Sequence, residues 1–527
     1  MRRSCFRGVS LFVWSITAGL ASGCGDEGAA DLGTVQSHQD RSAFPQGFVR
    51  VEGTHFVLDG KPFYFQGTNF QKIANLDGRP ESDVYSKFKA IADVGMKVVR
   101  FWGFSCKGAM CAGDGLIQDM SKDGIVYNDK ALVRLDAVLD AARVAGLKVI
   151  LTLANFEPAY CGIEWWTEKV LGDPDKQKFY TDETVRKLYK QYAHFILNRV
   201  NTKYQAKLGK NIAYKDDPTI MAIELENEPH TDNNYELAQG QKPGQMVYKW
   251  LKEMSEYIAK EDTSHLISTG EEGYKISHTS NNQPEKHSWL HGGLKGVDFA
   301  SNVTLPEIDF VTVHFYPDNW EIPAADILNG WVRDNIVYDR ASIAHRAGKP
   351  IVMEESGFTA VHFTSTPDDY RGKPLSFLGT LLDKMYQYAN EVDFAGTMVW
   401  QAFPNGEATD RGYEFNFDDP RFDAILKQVD YMNHKSAGTA PTPAVDPLAA
   451  ECKGSSDSDP DRDGWGTENG KKCRMIYCKD MGTDTNRDGW GWENNRSCRV
   501  PICLKAGADP DGDGWGWEAN LSCLARH

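Results

Sequence analysis

An alternation constrains this chain more than any other feature. Between Phe48 and Asn433, eight short runs rich in β-branched and aromatic residues recur, and segments of helical period stand between them. The runs are FYFQGTNF (63–70), KVVRFWGF (97–104), KVILTLANF (148–156), IMAIELENE (220–228), HLISTGEEG (265–273), IDFVTVHFYP (308–317), KPIVMEESGF (349–358) and FAGTMVWQAF (394–403). Segments 82–94, 130–145, 184–203 and 244–260 place apolar residues three and four apart. A run apolar at nearly every position suits a strand buried on both faces, as parallel strands are. Eight such strands, most followed by a helix, predict an α/β fold, a (β/α)8 TIM barrel over residues 47–435. The alternative is an open doubly wound sheet, but no Gly-rich phosphate loop follows the first run.

The flanks are of other kinds. Met1-Arg2-Arg3 and Arg7 precede an apolar stretch, Val9 to Leu20, too short to span a bilayer comfortably, so residues 1–23 read as an export signal. The stretch ends in LASGC, which resembles a bacterial lipoprotein processing site with Cys24 as the lipid-bearing residue; ordinary cleavage after small residues is the alternative. Polar residues 24–46 then form a tether, and a secreted or surface-anchored lipoprotein is expected. A Pro/Ala-rich linker covers 436–451. Residues 452–527 repeat, with Asp459, Asp484 and Asp509 opening copies 25 residues apart (484 − 459 and 509 − 484).

Each copy is bracketed by cysteines (452 and 473, 478 and 498, 503 and 523), as a small disulfide-rich exported unit requires. Each also carries oxygen ligands at alternate positions before a Gly: Asp459, Asp461 and Asp463; Asp484, Asn486 and Asp488; Asp509, Asp511 and Asp513. That spacing predicts calcium binding. Glu468, Glu493 and Glu518 fall two positions short of an EF-hand's final ligand, so the expected geometry is a different one. Acidic turns that bind nothing are the alternative. Cys106, Cys111 and Cys161 sit in the barrel region, where one pair can bridge, with no ground in the sequence for choosing it. The net charge of −16 argues against nucleic acid or anionic lipid as partner through the overall field, and a monomer is expected.

In a barrel of this kind chemistry sits at the C-terminal ends of the strands. Those ends supply Asn69, Arg100 and Trp102, Asn155, Asn227 and Glu228, Glu271 and Glu272, His314 and Tyr316, Glu354 and Glu355, and Trp400. Carboxylates on the fourth and seventh strands would face each other across the mouth, which is what glycoside hydrolysis needs. A flat indole such as Trp400 suits the C–H face of a sugar. The strand ends offer one His and no cluster at metal-ligand spacing, so no catalytic cofactor is expected.

IELENEP, VHFYPDNW, KPIVMEESGF and VWQAF, in this order, resemble glycoside hydrolase family 5, and the text between them is similar to its endo-β-1,4-mannanases more than to its cellulases. The resemblance implies a retaining endo-hydrolase of mannan, glucomannan or galactomannan, with an endo-β-1,4-glucanase or a non-catalytic carbohydrate-binding surface protein as alternatives. It implies Glu228 as acid/base and Glu355 as nucleophile, with Glu354 turned away by strand alternation. Arg100 would keep Glu355 ionised, Asn227 would bind a sugar 2-hydroxyl, His314 and Tyr316 would form a pair with Tyr316 on the nucleophile, and Trp400 would be the platform. Trp102, Asn155 and Trp166 are expected to line the cleft; Trp165 and Trp320 are read equally well as core. Glu224 and Glu226 are expected to be structural residues of the barrel interior. DGWGWENNRSC is similar to the tail of family 10 carbohydrate-binding modules, which would let Trp490, Trp492, Trp515 and Trp517 stack on sugars or else fill their own small rings.

Overall fold

A computed structural model describes residues 47–439 apart from 76–79, 107–114, 277–286, 362–364, 408 and 410–411, and six short strands between 465 and 524. Each of the eight apolar runs contains one strand of the barrel: β1 Phe65–Asn69, β2 Val98–Trp102, β3 Lys148–Thr152, β4 Ile220–Glu224, β5 Leu266–Ser268, β6 Val311–Phe315, β7 Ile351–Ser356 and β8 Gly396–Val399. They pair in parallel in the order β5-β4-β3-β2-β1-β8-β7-β6, and a parallel bridge from Ser268 to Phe310 joins the two ends into a barrel. Every strand residue except Lys148 is buried, consistent with walls covered on both faces.

The helices on the outside include α1 Glu81–Asp93, α2 Asp129–Ala145, α3 Glu183–Asn198, α4 Gln245–Glu261, α5 Phe299–Asn302, α6 Tyr338–Arg346, α7 Leu375–Glu391 and α8 Phe422–Ser436. Local chemistry sets their ends. Asn128 accepts the Ala131 N–H at the start of α2, and Asp182 accepts those of Thr184 and Val185 at the start of α3. The expected helix over 184–203 stops early, at Asn198. Buried Asp136 of α2 draws in Arg199, Thr202 and Tyr214, and Asn201 caps a separate turn, Thr202–Leu208.

A three-stranded antiparallel ribbon, Val49–Glu52, His55–Leu58 and Lys61–Pro62, covers the N-terminal end of the barrel. Its Phe56 packs edge-on to Phe310 at 5.3 Å and against Phe65 at 6.1 Å, in a cluster with Val98, Ile150, Met221, Leu266, Val352 and Met398. One end of the barrel is therefore closed by apolar packing, and the cleft opens at the other. The disulfide Cys106–Cys161 ties the loop after β2 to the loop after β3; Cys111 lies outside the described residues.

In the C-terminal repeats the described strands form three antiparallel hairpins of one register, with Gly466 opposite Cys473, Gly491 opposite Cys498 and Gly516 opposite Cys523. The expected calcium ligands at 459–463, 484–488 and 509–513 lie outside the described residues, as do the leader, Cys24 and residues 440–451 of the expected linker, whose first residue, Ser436, instead ends α8. No helix among the described residues is long and apolar enough to cross a membrane. Phe56 is fully buried, so Phe56→Ala is expected to lower unfolding stability by about 3–5 kcal/mol, read as a fall in the urea midpoint.

Candidate active site

The site is built around a guanidinium buried inside the barrel. Arg100, on β2, is wholly inaccessible to solvent. Its Nη1 donates to Glu355 Oε1 at 2.5 Å and to Asn69 Oδ1 at 3.0 Å, and its Nη2 to Glu224 Oε1 and Asn227 Oδ1, both at 2.6 Å. Nε reaches Glu224 again, and Glu354 Oε2 lies 3.5 Å from it. Burial alone would lower the Arg100 pKa, but the charges of Glu224, Glu354 and Glu355 raise it, so the group stays cationic.

Glu355 is held from a second side by the Tyr316 hydroxyl, which donates to Oε2 at 2.5 Å. Burial raises the Glu355 carboxyl above its ordinary value, against the pull of His314 and Arg100. Arg100 sits on Glu355 as expected and favours its ionised form, while desolvation opposes the ion pair. The strand-alternation argument for Glu354 is corrected. Between β6 and β7 the register slips, so that Val313 faces Met353 but His314 faces Glu355. Glu354 and Glu355 then both reach Arg100, with Glu354 fully buried and Glu355 lining the cleft.

Glu228 arrives by a different device. The β4 ladder ends at Glu224, yet the chain stays hydrogen-bonded to its neighbours: Asn227 N–H to Ala154, Glu228 N–H to Gly270. Glu228 adopts φ 53°, the left-handed region, at a cost on the order of 1–3 kcal/mol for a non-glycine residue. Gly270 makes the close approach possible, since a Cβ there would lie 2.0 Å from the Glu226 carbonyl oxygen. His314 Nδ1 lies 2.8 Å from Glu228 Oε1 and 3.6 Å from Glu355 Oε2, and its Nε2 is 3.4 Å from Glu354. Burial would lower the His314 pKa, but these carboxylates raise it well above the ordinary value, so the imidazolium bridges them.

Ligand atoms of Glu228, His314 and Glu355 all lie within 4.8 Å of one another. This corrects the statement that no cluster at metal-ligand spacing exists: three separate strand ends contribute, so no sequence spacing reveals it. The donor set fits a carboxylate pair better than an ion, since Arg100 and Tyr316 already occupy both oxygens of Glu355.

These groups open into a cleft of about 550 Å³. Trp102 and Trp400 line it with ring centroids 5.9 Å apart, and Asn155, held by the carbonyls of Glu157 and Ala159, accepts from Asn227 Nδ2 at 2.9 Å. Trp166 does not reach the cleft. It is fully buried, edge-on to Phe179 and Tyr192 at 5.7 and 5.8 Å. Instead Tyr274, Trp289 and Trp320 form an aromatic wall, with centroids 5.7 to 6.1 Å apart. Trp320 had a signal in the sequence, four residues after Tyr316, but nothing local separates a cleft indole from a core one. Glu272 was visible as a strand-end residue without a role; it lines the cleft, accepts from the Tyr274 hydroxyl at 2.5 Å, and is pushed well above the ordinary carboxylate range by burial and by Glu228. Glu224 and Glu226 are fully buried, Glu224 on Arg100 and Glu226 taking the Tyr180 hydroxyl.

A sequence model of the family described as GH family 5 beta-mannosidase-like matches residues 46–419. The chain belongs to this family. Mannan endo-1,4-beta-mannosidase 7 of Arabidopsis thaliana is 32% identical over 372 residues, spanning 68% of this chain and 79% of that protein. Probable mannan endo-1,4-beta-mannosidase A of Aspergillus flavus is 29% identical over 366 residues, spanning 69% and 85%. Among solved structures, the endo-1,4-beta-mannanase from Rhizomucor miehei superimposes with a TM-score of 0.59 at 27% identity, over 73% of this chain and 99% of that one.

This family member keeps its buried cation paired on several sides at once. Arg100→Ala leaves Glu224, Glu354 and Glu355 without it, and is expected to destabilise the fold by about 3–5 kcal/mol, measured by urea unfolding at neutral pH.

Proposed function

We propose that this chain hydrolyses internal β-1,4-mannosidic bonds of mannan, glucomannan or galactomannan with retention of configuration, by a double displacement between Glu228 and Glu355. One observation carries the roles: the two carboxyl groups approach within 4.8 Å at the cleft, nearer the roughly 5–5.5 Å of retaining pairs than the wider gap that inversion needs. The names of the plant and fungal relatives support the substrate.

Glu355, fixed by Arg100 and Tyr316, attacks the anomeric carbon, and the bond to the leaving oxygen breaks as Glu228 gives that oxygen its proton. A glycosyl ester forms on Glu355. Glu228 then takes a proton from water, whose oxygen displaces Glu355. His314, within 2.8 Å of Glu228 and 3.6 Å of Glu355, balances charge as the proton moves. Trp102 and Trp400 offer faces for the reacting sugar, and Asn227, held by Arg100 and Asn155, keeps a second Nδ2 hydrogen for a hydroxyl.

The leader and the LASGC motif support export with a lipid on Cys24, and Cys24→Ser is expected to release the protein from the membrane fraction. The aspartate-rich repeats support calcium binding, and their Trp pairs support sugar binding.

The test of the main reading is reducing-sugar release from galactomannan, glucomannan and carboxymethyl cellulose. Both mannans are expected to be cut, the β-anomer appearing first by NMR, with Glu228→Ala and Glu355→Ala each lowering kcat by about a thousandfold or more. Activity confined to cellulose would overturn the substrate assignment. The Tyr316 hydrogen bond favours the ionised form of Glu355. Removing it in Tyr316→Phe raises the Glu355 pKa, so the acid limb of the kcat/KM profile is expected to move to higher pH.

A further inference from the structure

Behind the nucleophile lies a carboxylate that the chemistry above does not use. Asp318, two residues beyond Tyr316, is fully buried. Its Oδ2 accepts the Thr359 backbone N–H at 2.7 Å; its Oδ1 accepts the Asn319 N–H at 3.0 Å and the Tyr413 hydroxyl at 3.1 Å. The donors belong to three segments, those following β6, β7 and β8. Burial pushes the carboxyl up to about 6, which leaves it ionised at neutral pH with these donors as its solvation.

Tyr413 is where this carboxylate meets the cleft. Its ring lines the cleft and stands edge-on to Tyr316, with centroids 5.1 Å apart at 75°. The Tyr316 hydroxyl is the one on Glu355 Oε2. Gly357 gives the two rings room, because a Cβ there would lie 2.9 Å from the Trp400 carbonyl oxygen, 3.1 Å from Tyr413 Cδ1 and 3.6 Å from Tyr316 Cε1. Arg421 clamps the same two segments from another side, donating to the Phe358 carbonyl at 3.0 Å and the Gly412 carbonyl at 2.7 Å. Residues 358–359 and 412–413 are thus held between a buried cation and a buried anion, and the anion holds a side chain that reaches the cleft.

We propose that Asp318 is a positioning residue: by holding the Tyr413 hydroxyl and the Thr359 amide, it fixes the ring against which Tyr316 leans, and so fixes the Tyr316 hydroxyl on Glu355. The proposal rests on Glu355 being the nucleophile. Its effect falls on the step in which Glu355 attacks, since a small displacement of an orienting group costs rate more than binding.

The test compares the full chain with Asp318→Asn, Tyr413→Phe and the double variant. Asn keeps the volume but has one acceptor oxygen in place of two, and Phe removes only the hydroxyl. Two quantities are read: kcat and KM on galactomannan, and the rate at which 2-deoxy-2-fluoromannosyl fluoride labels the protein, followed by mass spectrometry and located by peptide mapping. Each single variant is expected to lose about tenfold in kcat and in labelling rate, with KM changed by less than about twofold. The double variant is expected to lose no more than the worse single one, because both substitutions act on Glu355 through the one Tyr413 ring. Label on Glu355 at the wild-type rate in both variants, or a loss confined to KM or to thermal stability, overturns the proposal alone. Label mapping to another residue overturns the nucleophile assignment and the proposal with it.

Discussion

The interior of this barrel depends on one buried charge. A guanidinium out of water is costly unless its donors are met, and Arg100 meets them with side chains of three other strands or strand ends: Asn69 from β1, Glu224 and Asn227 from β4, and Glu355 from β7. A lysine, with one point of charge, could not hold acceptors in so many directions, whereas the planar fork fixes each at its own angle. The ion's coordination is therefore complete only when β1, β2, β4 and β7, spread around the sheet, are all in place.

Around this ion the carboxyl groups are sorted by surroundings. Glu224 is raised to about 8 by burial in spite of Arg100, and it sits against Glu354, which is lowered because Arg100 and His314 outweigh burial there. The direction for the pair is one shared proton, as expected of two carboxyls too close to ionise together. Glu355 lies at the boundary between this interior and the cleft, with Arg100 below and Tyr316 beside it. Glu228 stands across from it on a strained backbone, and side-chain exposure of 14% against 4% for Glu355 leaves it the more accessible of the two. Glu355 is immobilised and Glu228 is more open to the cleft, which is the asymmetry that the proposed double displacement requires.

Much of this was legible in the chain. The eight apolar runs mark the eight strands because a strand covered on both faces has no polar positions to spare, and that signal survives without any partner in view. The strand-end rule then delivers Asn227, Glu228, Tyr316, Glu355 and Trp400 to one cleft, with Arg100 and His314 buried beneath them. The misreadings share a cause. Trp165 and Trp166 are neighbours on one helix turn, and which of them is buried depends on the rotation of Ile163–Leu171 against Phe179 and Tyr192, residues supplied by other helices. The helix expected over 184–203 breaks because Asp136, far away in sequence, takes its donors.

By itself the sequence determined the number of strands, their order and the identity of the polar groups at their ends, because hydrophobic period and strand direction are local properties of the chain. Only the tertiary structure decided how far those groups stand from each other. The slip of register between Val313 and His314 turns both Glu354 and Glu355 onto Arg100, and the closing bridge from Ser268 to Phe310 sets the width of the mouth. Distances across a barrel are set by pairing between segments remote in sequence, so the Glu228–Glu355 separation, the aromatic wall and the Asp318–Tyr413 contact exist only once the sheet has closed.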